Sequence, residues 1–273
     1  MNRKIEEVEF VIFDTETTGL DPKSGDRIVE IAALRFKAQE KLGQFHSLVN
    51  PERQISPRAF EVNQISEAML KNAPKMEKIL PDFLAFIKGS CLCSYNMPFD
   101  LGFLNNELAL AEQKPLEQPE LVDILMMSRR LLPKLEKYAL WFVAKTLEIE
   151  NQQEHRAFSD VQLTWEVFQR LKIMLREKGI SEFNNFLHLF GTSQKALNSV
   201  NEQKIARIEE AIELGLRLKI KYFSRSLAQV SEREVIPKEI RLDQKQAYLI
   251  GFCFLKNEER TFRIDCILDL ETI

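Results

Sequence analysis

The sequence predicts an α/β fold in which helices flank a mixed central sheet, followed by a small all-β domain. The apolar run at residues 10–13 is typical of a strand buried on both faces. Strand-like segments joined by short turns open the chain, and strands alternate with helices after residue 90. From residue 216 onward, strand-like runs follow one another at regular spacing, which favours a small barrel.

The first three strands are expected to form an antiparallel meander, because the turns between them are short. The alternation of strands and helices that follows implies parallel strands added to the same sheet. Pro98 falls in the first turn of a predicted helix, where proline is tolerated. The expected elements after the opening strand are strands at 27–36 and 42–49, helices at 57–70 and 76–87, a strand at 90–95, a helix at 98–112, a loop at 115–119, a strand at 121–123, and helices at 124–132, 138–147 and 159–177.

The second half of the chain has a different organisation. A short amphipathic stretch and a polar linker precede one helix, and only strands follow that helix. The expected elements are the amphipathic stretch at 182–190, the linker at 191–201, a helix at 202–214, and strands at 216–223, 232–240, 246–255, 260–264 and 267–270. We therefore expect a first domain at 1–180, a linker with a short helix at 181–200, and a second domain at 201–273.

Charge and cysteine content limit the classes of function. The net charge of −3 gives no overall attraction to phosphate, so nucleic-acid binding must be local or carried by a metal ion. The four cysteines lack zinc-site spacing, and the absence of an expected disulfide fits a reducing cytoplasm. The first ten residues lack an apolar signal core, and no apolar run is long enough to span a membrane. We expect a cytoplasmic protein without membrane association.

The opening strand ends in two carboxylates, Asp14 and Glu16, before Gly19 lets the chain turn. Because a strand repeats every two residues, both carboxylates leave the same face. Two like charges held side by side repel unless a cation lies between them, and oxygen ligands suit Mg²⁺ or Mn²⁺. The alternative is an ordinary strand end that is solvated.

Two later clusters place polar groups at the edges of predicted elements. Asp100 falls in the first turn of a helix just after a strand, where an acid also simply favours the helix N-terminus. His155 lies on a predicted loop, and Asp160 lies at the start of the next helix, for which Ser159 is the expected N-cap. A histidine between charged residues is usually only solvated. Taken together, four acids and one histidine at element edges predict an active-site rim.

Residues 8 to about 178 resemble the DEDDh 3′–5′ exonucleases, the family of the proofreading subunit of bacterial replicative DNA polymerase. Three motifs carry the resemblance, at residues 13–19, 96–100 and 155–160, and the segments 62–66 and 72–74 also fit the pattern. The resemblance implies a ribonuclease H-like fold. It also implies hydrolysis of phosphodiester bonds with two divalent ions, Mg²⁺ or Mn²⁺.

By this resemblance, Asp14, Glu16 and Asp160 bind the metal ions, and Asp100 assists them. One ion would lower the pKa of a bound water, and the other would stabilise the leaving 3′ oxygen. His155 would be the general base, since a neutral imidazole near pH 7 can accept the proton of that water.

The resemblance also implies contacts to the terminal nucleotide, which Thr17 would hold and on whose base Leu20 would pack. The expected substrate-binding residues are Thr15, Thr17, Leu20, Asn96 and Phe99. Tyr95 and Asn63 stand where many family members have histidine. These two departures bear on substrate preference and not on hydrolysis.

The last 70 or so residues resemble a WYL domain, a barrel of the SH3 or Sm type. The matching segments are 211–212, 219–222, 233–237, 247–249 and 260–265. Ala247 replaces the tryptophan of the name, and Cys266 replaces an arginine that often follows the aspartate. WYL domains are thought to sense ligands, including nucleic acids, through a basic and aromatic pocket. The residues implied here are Tyr222, Arg233, Tyr248, Arg260 and Arg263. The alternative places the tyrosines in the core and the arginines in surface ion pairs.

The leading hypothesis is a metal-dependent 3′–5′ exonuclease that acts on single-stranded DNA, in repair, replication or nucleic-acid turnover. The first alternative is an exoribonuclease that trims RNA ends, which contacts to a 2′-hydroxyl would distinguish. The second alternative is a non-catalytic regulatory module that binds nucleic acid. All five expected catalytic positions are filled, which argues against an inactive nuclease.

Protein partners are expected on resemblance alone. Residues 187–190 faintly resemble peptides that bind bacterial sliding clamps, although they lack the usual glutamine. An apolar helix face that packs on a domain is the favoured interpretation of this segment. Association with a polymerase or a sliding clamp therefore stays an expectation of family resemblance.

Overall fold

The computed structural model describes residues 3–116, 120–150, 153–192, 194–243 and 246–273, with the backbone alone over 194–200. Part of the expected loop at 115–119, namely residues 117–119, lies outside the described residues, as does residue 193 of the expected linker. The described residues form two five-stranded sheets.

Five strands form the first sheet. They are β1 (Glu9–Thr17), β2 (Ile28–Lys37), β3 (Glu40–Leu48), β4 (Cys91–Ser94) and β5 (Leu121–Asp123). Their order in the sheet is β3-β2-β1-β4-β5. β1 pairs antiparallel with β2, and β2 with β3, whereas β4 and β5 are added in parallel. The predicted meander with parallel additions is confirmed.

Helices cover both faces of this sheet and lead to the second one. The described residues form α1 (Pro57–Asn63), α2 (Glu67–Leu70), α3 (Met76–Ile87), α4 (Met97–Leu110), α5 (Ile124–Leu131), α6 (Leu140–Thr146), α7 (Ala157–Glu177), α8 (Phe183–Phe190) and α9 (Gln194–Glu213). None of the helices in this described part of the chain combines the length and apolar character that crossing a bilayer requires.

Two details of the predicted helices are wrong. The segment 57–70 is two helices, because Gln64 adopts a left-handed conformation (φ 55°) that ends α1, and Ser66 then caps α2. Ser159 is not an N-cap. α7 begins two residues earlier, with Arg156 in extended conformation at the cap position.

The apolar run at residues 10–13 of β1 is fully buried and separates two cores. Phe10 faces α7, where the ring centroids of Phe10 and Phe168 are 5.2 Å apart. Phe13 faces the opposite side, 6.0 Å from Phe83 of α3. A large-to-small change at either phenylalanine is expected to cost about 3–5 kcal/mol of stability. β1 is therefore held rigidly from both faces up to the point where its carboxylates begin.

The helix α8 belongs to the first core. Phe183, Phe186 and Phe190 are buried, and the first two lie 6.0 and 5.9 Å from the ring of Phe10. The helix-packing interpretation of residues 187–190 is thereby confirmed, and the apolar side chains are not exposed for a clamp. We propose that the first domain extends through α8, beyond the expected boundary at residue 180. The linker expected at 191–201 is wrong from Gln194 onward, where α9 begins.

The second sheet is antiparallel. Its strands are β6 (Leu218–Ser224), β7 (Gln229–Asp243), β8 (Gln246–Cys253), β9 (Glu258–Arg263) and β10 (Ile267–Thr272), in the order β10-β6-β7-β8-β9. The long strand β7 has a bulge between Pro237 and Glu239, as is typical of strongly bent strands. Gly251 lies opposite that bulge, and a Cβ there would fall 2.4 Å from the carbonyl oxygen of Ile236. The edge strands β9 and β10 are joined by a single turn of 3₁₀ helix, Ile264–Cys266.

The second sheet packs against the first domain through side chains near its edge. Phe223, Ala228 and Leu268 are buried in the same cluster as Phe10. The ammonium of Lys221 donates a hydrogen bond to the carbonyl of Gly179 (3.2 Å). The two parts of the chain therefore share apolar surface.

Candidate active site

The face of β1 covered by α7 ends in carboxylates. Asp14 and Glu16 continue the row of alternating side chains that begins with Phe10 and Ile12, and β1 stays in regular register with β2 through Glu16. Asp160 lies in the first turn of α7, over this same face. Carboxylate oxygens of Asp14, Glu16 and Asp160 all lie within 4.8 Å of one another. We name these three residues the acidic cluster.

Asp160 has one free oxygen directed into buried space. The side chain is 4% exposed, and its Oδ2 accepts a hydrogen bond from Nε2 of Gln153 (2.7 Å). Its Oδ1 is buried and has no hydrogen-bond partner among the described residues. A buried acceptor without a partner is costly, so this oxygen is suited to a cation.

Asp100 approaches the cluster from the other side of β1. Its Oδ1 accepts hydrogen bonds from the backbone N–H of Thr15 (3.0 Å) and from the Thr15 hydroxyl (2.8 Å). These two bonds connect the first turn of α4 to the strand end. Asp100 lies outside the acidic cluster, whose carboxylate oxygens lie within 4.8 Å of one another. It therefore adds negative charge to the site, and the closest metal contacts would come from the acidic cluster.

Burial disfavours the ionised forms of Asp14, Glu16 and Asp100, as neighbouring acids also do for Asp14 and Glu16, and a bound cation would favour those forms. Burial raises the pKa of Asp14 well above its usual value, and the charges of Asp100, Glu16 and Asp160 raise it further. Burial, followed by the charge of Asp160, raises the pKa of Glu16 to about 8. Burial raises the pKa of Asp100 to about 7. All ligand atoms are carboxylate oxygens, a set that fits Mg²⁺ or Mn²⁺.

His155 lies on the exposed loop that leads into α7. Its backbone is left-handed (φ 53°), a conformation that few residues other than glycine adopt. Burial raises the pKa of Asp160 above its usual value, and the hydrogen bond from Gln153 and the charge of nearby His155 oppose that rise. The histidine is thus at the edge of the acidic cluster and open to solvent.

A cavity of about 260 Å³ adjoins the cluster. It contains four of the five expected substrate-binding residues, Thr15, Thr17, Leu20 and Phe99. Leu20 is 69% exposed, which leaves an apolar surface uncovered at this position. Asn96, the fifth, does not line the cavity; it adopts a left-handed conformation (φ 94°) at the start of α4.

Asn63 and Tyr95, the two positions that depart from the family pattern, both form hydrogen bonds with backbone groups. Asn63 is buried, and its amide donates to the carbonyl of Thr17 (3.4 Å) while its oxygen accepts from the N–H of Ile65 (3.0 Å). The Tyr95 hydroxyl donates to the carbonyl of Tyr138 (2.7 Å). Asn63 therefore helps to shape the cavity, which it also lines.

The five residues expected in the second domain do not form one group. Tyr248 and Arg263 face each other across β8 and β9, and Arg263 also pairs with Asp265. Tyr222 instead packs edge-on against Phe262, 5.2 Å between centroids, next to the buried cluster of the sheet.

The other two arginines have separate partners. Arg260 pairs with Glu258 on the surface (2.8 Å), and Nε of Arg233 donates to the Ser231 hydroxyl (3.0 Å). Of the expected pocket, the structure places Tyr248 beside Arg263, and Tyr222 meets the backbone of Arg263.

Comparison with known families assigns both parts of the chain. Residues 11–168 match the family described as Exonuclease, and residues 203–272 match the family described as WYL domain. The chain belongs to the exonuclease family. The resemblance to DEDDh exonucleases, with a WYL domain attached, is confirmed.

Curated relatives of this exonuclease include replication proteins. A DNA polymerase III subunit epsilon from Rickettsia felis is 42% identical over 167 residues, covering 59% of this chain and 72% of the relative. A DNA polymerase III of PolC type from Caldanaerobacter subterraneus subsp. tengcongensis is 33% identical over 252 residues. That match covers 90% of this chain but spans 17% of the relative.

Solved structures support the same fold. The nuclease domain of 3′hExo bound to rAMP, described as a DEDDh family member, has a TM-score of 0.53 at 18% identity and covers 64% of this chain and 94% of its own. Escherichia coli exonuclease I in complex with a dA16 oligonucleotide has a TM-score of 0.59 at 15% identity, covering 90% of this chain and 55% of its own. At these identities the likeness concerns the fold, and the predicted ribonuclease H-like architecture is confirmed.

Three residues of the site were not predicted from the sequence. Gln153 binds the carboxylate of Asp160, and Arg58 lines the cavity near Leu20. Glu30 lies directly opposite Glu16 in the register of β1 and β2. Glu30 had a visible signal, because it is the one acid within the otherwise apolar segment 28–34.

Proposed function

We propose that this exonuclease removes nucleotides from the 3′ end of single-stranded DNA with the help of two divalent ions, Mg²⁺ or Mn²⁺. Asp14, Glu16 and Asp160 would bind the ions, and Asp100 would assist. One observation carries the proposal: Glu16 belongs both to the acidic cluster and to the lining of the apolar cavity. A nucleoside in the cavity would therefore present its phosphate to the cluster.

The bound ions would supply an activated water and neutralise charge on the phosphate. The remaining work falls to residues of the chain. Leu20 and Phe99 would pack on the terminal base and exclude water from the cavity. His155 would accept the proton of the attacking water. Its exposed position would let it pass that proton on to solvent. Thr15 would keep Asp100 in place through its two hydrogen bonds.

The choice of DNA and of a replicative partner rests on the curated relatives. Those relatives are named as a subunit or a type of DNA polymerase III. We propose DNA as the natural substrate and a polymerase as the partner. An exoribonuclease activity is the competing outcome of the experiment below.

The WYL domain is proposed to hold the strand that enters the active site. Tyr248 and Arg263 offer an aromatic ring and a guanidinium side by side, a combination that suits bases and phosphates. Changing Arg263 to glutamine should raise the KM for long single strands and leave that for a dinucleotide unchanged. Lys238→Gln is the matched control, because Lys238 is exposed on the same sheet and also pairs with an acid, Glu259, but does not lie opposite Tyr248. Equal KM values for all three proteins would refute this role.

The central experiment uses single-stranded DNA and RNA of the same sequence, labelled at the 3′ or the 5′ end. The protein is incubated with Mn²⁺, Mg²⁺ or EDTA. A metal-dependent ladder that shortens from the 3′ end is expected, with DNA the faster substrate. Faster RNA cleavage would favour the exoribonuclease, and tight binding without cleavage would favour a regulatory binding module.

Two variants connect that activity to the acidic cluster. Asp14→Asn should abolish the ladder while binding of the strand survives. Asp123→Asn is the control, because Asp123 is also buried at the end of a parallel strand but caps α5 through the N–H groups of Leu125 and Met126. Its activity should match that of the unchanged protein. Persistent hydrolysis in Asp14→Asn would refute the site assignment.

A further inference from the structure

Glu30 is a buried acid on β2, 1% exposed, whose carboxylate is fully occupied by hydrogen bonds. Oε2 accepts from Nε of Arg156 (3.0 Å) and from the backbone N–H of Ala157 (3.0 Å). Oε1 accepts from Nη2 of Arg156 (2.6 Å) and lies 2.7 Å from Nε2 of His46. Both oxygens are thus committed to the chain itself, and Glu30 is not a member of the acidic cluster.

The groups that Glu30 holds directly follow His155 in the chain. Arg156 is the next residue, in extended conformation, and Ala157 begins α7. On the other side, Gln153 is bound to Asp160. The loop is therefore anchored on both sides of His155, whose left-handed backbone is of the kind that persists only when its surroundings hold it.

This arrangement has an electrostatic cost for the active site. The charge of Glu30 raises the pKa of both Asp14 and Glu16, which disfavours their ionised forms. Burial alone would raise the pKa of Glu30 too, but the hydrogen bonds from Arg156 and His46 bring it below its usual value. Glu30 therefore stays ionised close to Asp14 and Glu16, and an apolar residue in its place would avoid that repulsion.

We infer that Glu30 is a positioning residue for the reaction: by binding Arg156 and the N–H of Ala157, it fixes His155 at the reaction centre. This inference rests on the proposed function of His155 as the proton acceptor. The acid acts through the loop and touches neither substrate nor metal. Displacement of a catalytic group by about 1 Å can lower a rate about 10²-fold.

The test is the change Glu30→Gln, alone and combined with His155→Ala. The glutamine keeps the size of the side chain, but its amide N–H₂ replaces one of the oxygens that accept from Arg156 and Ala157. We expect kcat, measured at saturating Mn²⁺, to fall about 10- to 100-fold, with KM changed less than about two-fold. In the His155→Ala background, the same change should have almost no effect, because the group that Glu30 positions is gone.

A matched control exists at the start of β2, where Glu107 of α4 meets the strand. Glu107 is also 1% exposed and also binds one arginine through both nitrogens, Nε (2.8 Å) and Nη2 (2.7 Å) of Arg27, as well as one backbone N–H, that of Ile28 (3.2 Å). Glu107→Gln weakens the equivalent bonds, to Arg27 and Ile28, and does not contact the loop of His155. Glu107→Gln should therefore change kcat by the same factor in the otherwise unchanged protein and in the His155→Ala background.

Arg156→Gln provides a second route if Glu30→Gln reduces folding. Arg156 is partly exposed, so the change opens no cavity in the core, and it breaks the same contact from the other side. Both variants should show the same dependence on His155. If Glu30→Gln lowered kcat by the same factor with and without His155, as is expected for Glu107→Gln, the inference would be overturned. An unchanged kcat in His155→Ala alone would instead refute the base assignment on which the inference rests.

Discussion

Two partly buried acids of this protein, Glu16 and Asp265, have opposite surroundings. At the end of β1, Glu16 has acidic neighbours, and burial together with the charge of Asp160 raises its pKa to about 8. In the 3₁₀ turn of the second sheet, Asp265 accepts from Arg225 (2.7 Å) and from Nη2 of Arg263 (2.9 Å). Burial would raise the pKa of Asp265, but these arginines lower it to about 2.

The difference shows how a chain separates structural from functional charge. Where two arginines surround an acid, the interaction is complete and contributes to stability. Among the described residues, no lysine or arginine pairs with the acidic cluster. Its carboxylates therefore repel one another, and a cation from solution would relieve that repulsion. Glu30 stands between these cases, because it is close to the cluster but paired with Arg156.

The largest expected effect concerns Asp14. Asp14→Asn should reduce hydrolysis by about 10³-fold or more, since it removes a metal ligand. The same change should raise the melting temperature in EDTA by a few degrees, about 2–4 °C per kcal/mol, because a neutral amide relieves the repulsion. Thermal unfolding with EDTA measures it. A lower melting temperature would contradict the idea that the charges of the cluster are unpaired.

Binding of Mn²⁺ should reverse that order of stability. At a concentration of Mn²⁺ 100 times the Kd, the unchanged protein should gain about 2.7 kcal/mol. Asp14→Asn should gain much less, because one ligand is missing. Differential scanning calorimetry across a Mn²⁺ series gives both values, with Ca²⁺ as a comparison ion. Equal gains for the two proteins would mean that the ion binds elsewhere.

Asp265→Asn should have the opposite effect on stability. The change leaves Arg225 and Arg263 with one neutral acceptor oxygen in place of a carboxylate, and the pKa of about 2 corresponds to roughly 2 kcal/mol of lost stability. Urea unfolding at pH 7 measures the loss. Asp269→Asn, an exposed acid of the following strand, is the control and should stay within about 0.5 kcal/mol. A stabilised Asp265→Asn would remove the contrast between the two sites.

A smaller effect is expected on acidification, at a histidine near Asp265. Burial, and then the charge of Lys204, lower the pKa of His188 to about 4, against the hydrogen bond to Asn201 and the charge of Asp265. The unfolded chain takes up this proton near pH 6.5. Stability is therefore fully present above pH 6.5 and is lost as the pH falls towards 4, by about 1–2 kcal/mol at pH 5. Urea unfolding at pH 7 and 5 should show a reduced difference in His188→Gln, and an unchanged difference would contradict the assignment.

The sequence by itself determined the fold and the composition of the acidic cluster. Local patterns suffice for this, because the alternation of β1 puts Asp14 and Glu16 on one face wherever the strand lies. Motif spacing then added Asp100, His155 and Asp160. The two families were also evident from short segments alone.

Only the tertiary structure decided which residues support that site. Glu30 and Arg156 are 126 positions apart, and Thr15 and Asp100 are 85 apart, so no local pattern joins them. The same holds for α8: the sequence predicted that its apolar face packs on a domain, but only the structure shows that it fills the core around Phe10. A sequence pattern fixes which face a side chain occupies along its own element. Which partner meets that face depends on packing between distant segments, and this sets the charges of the site.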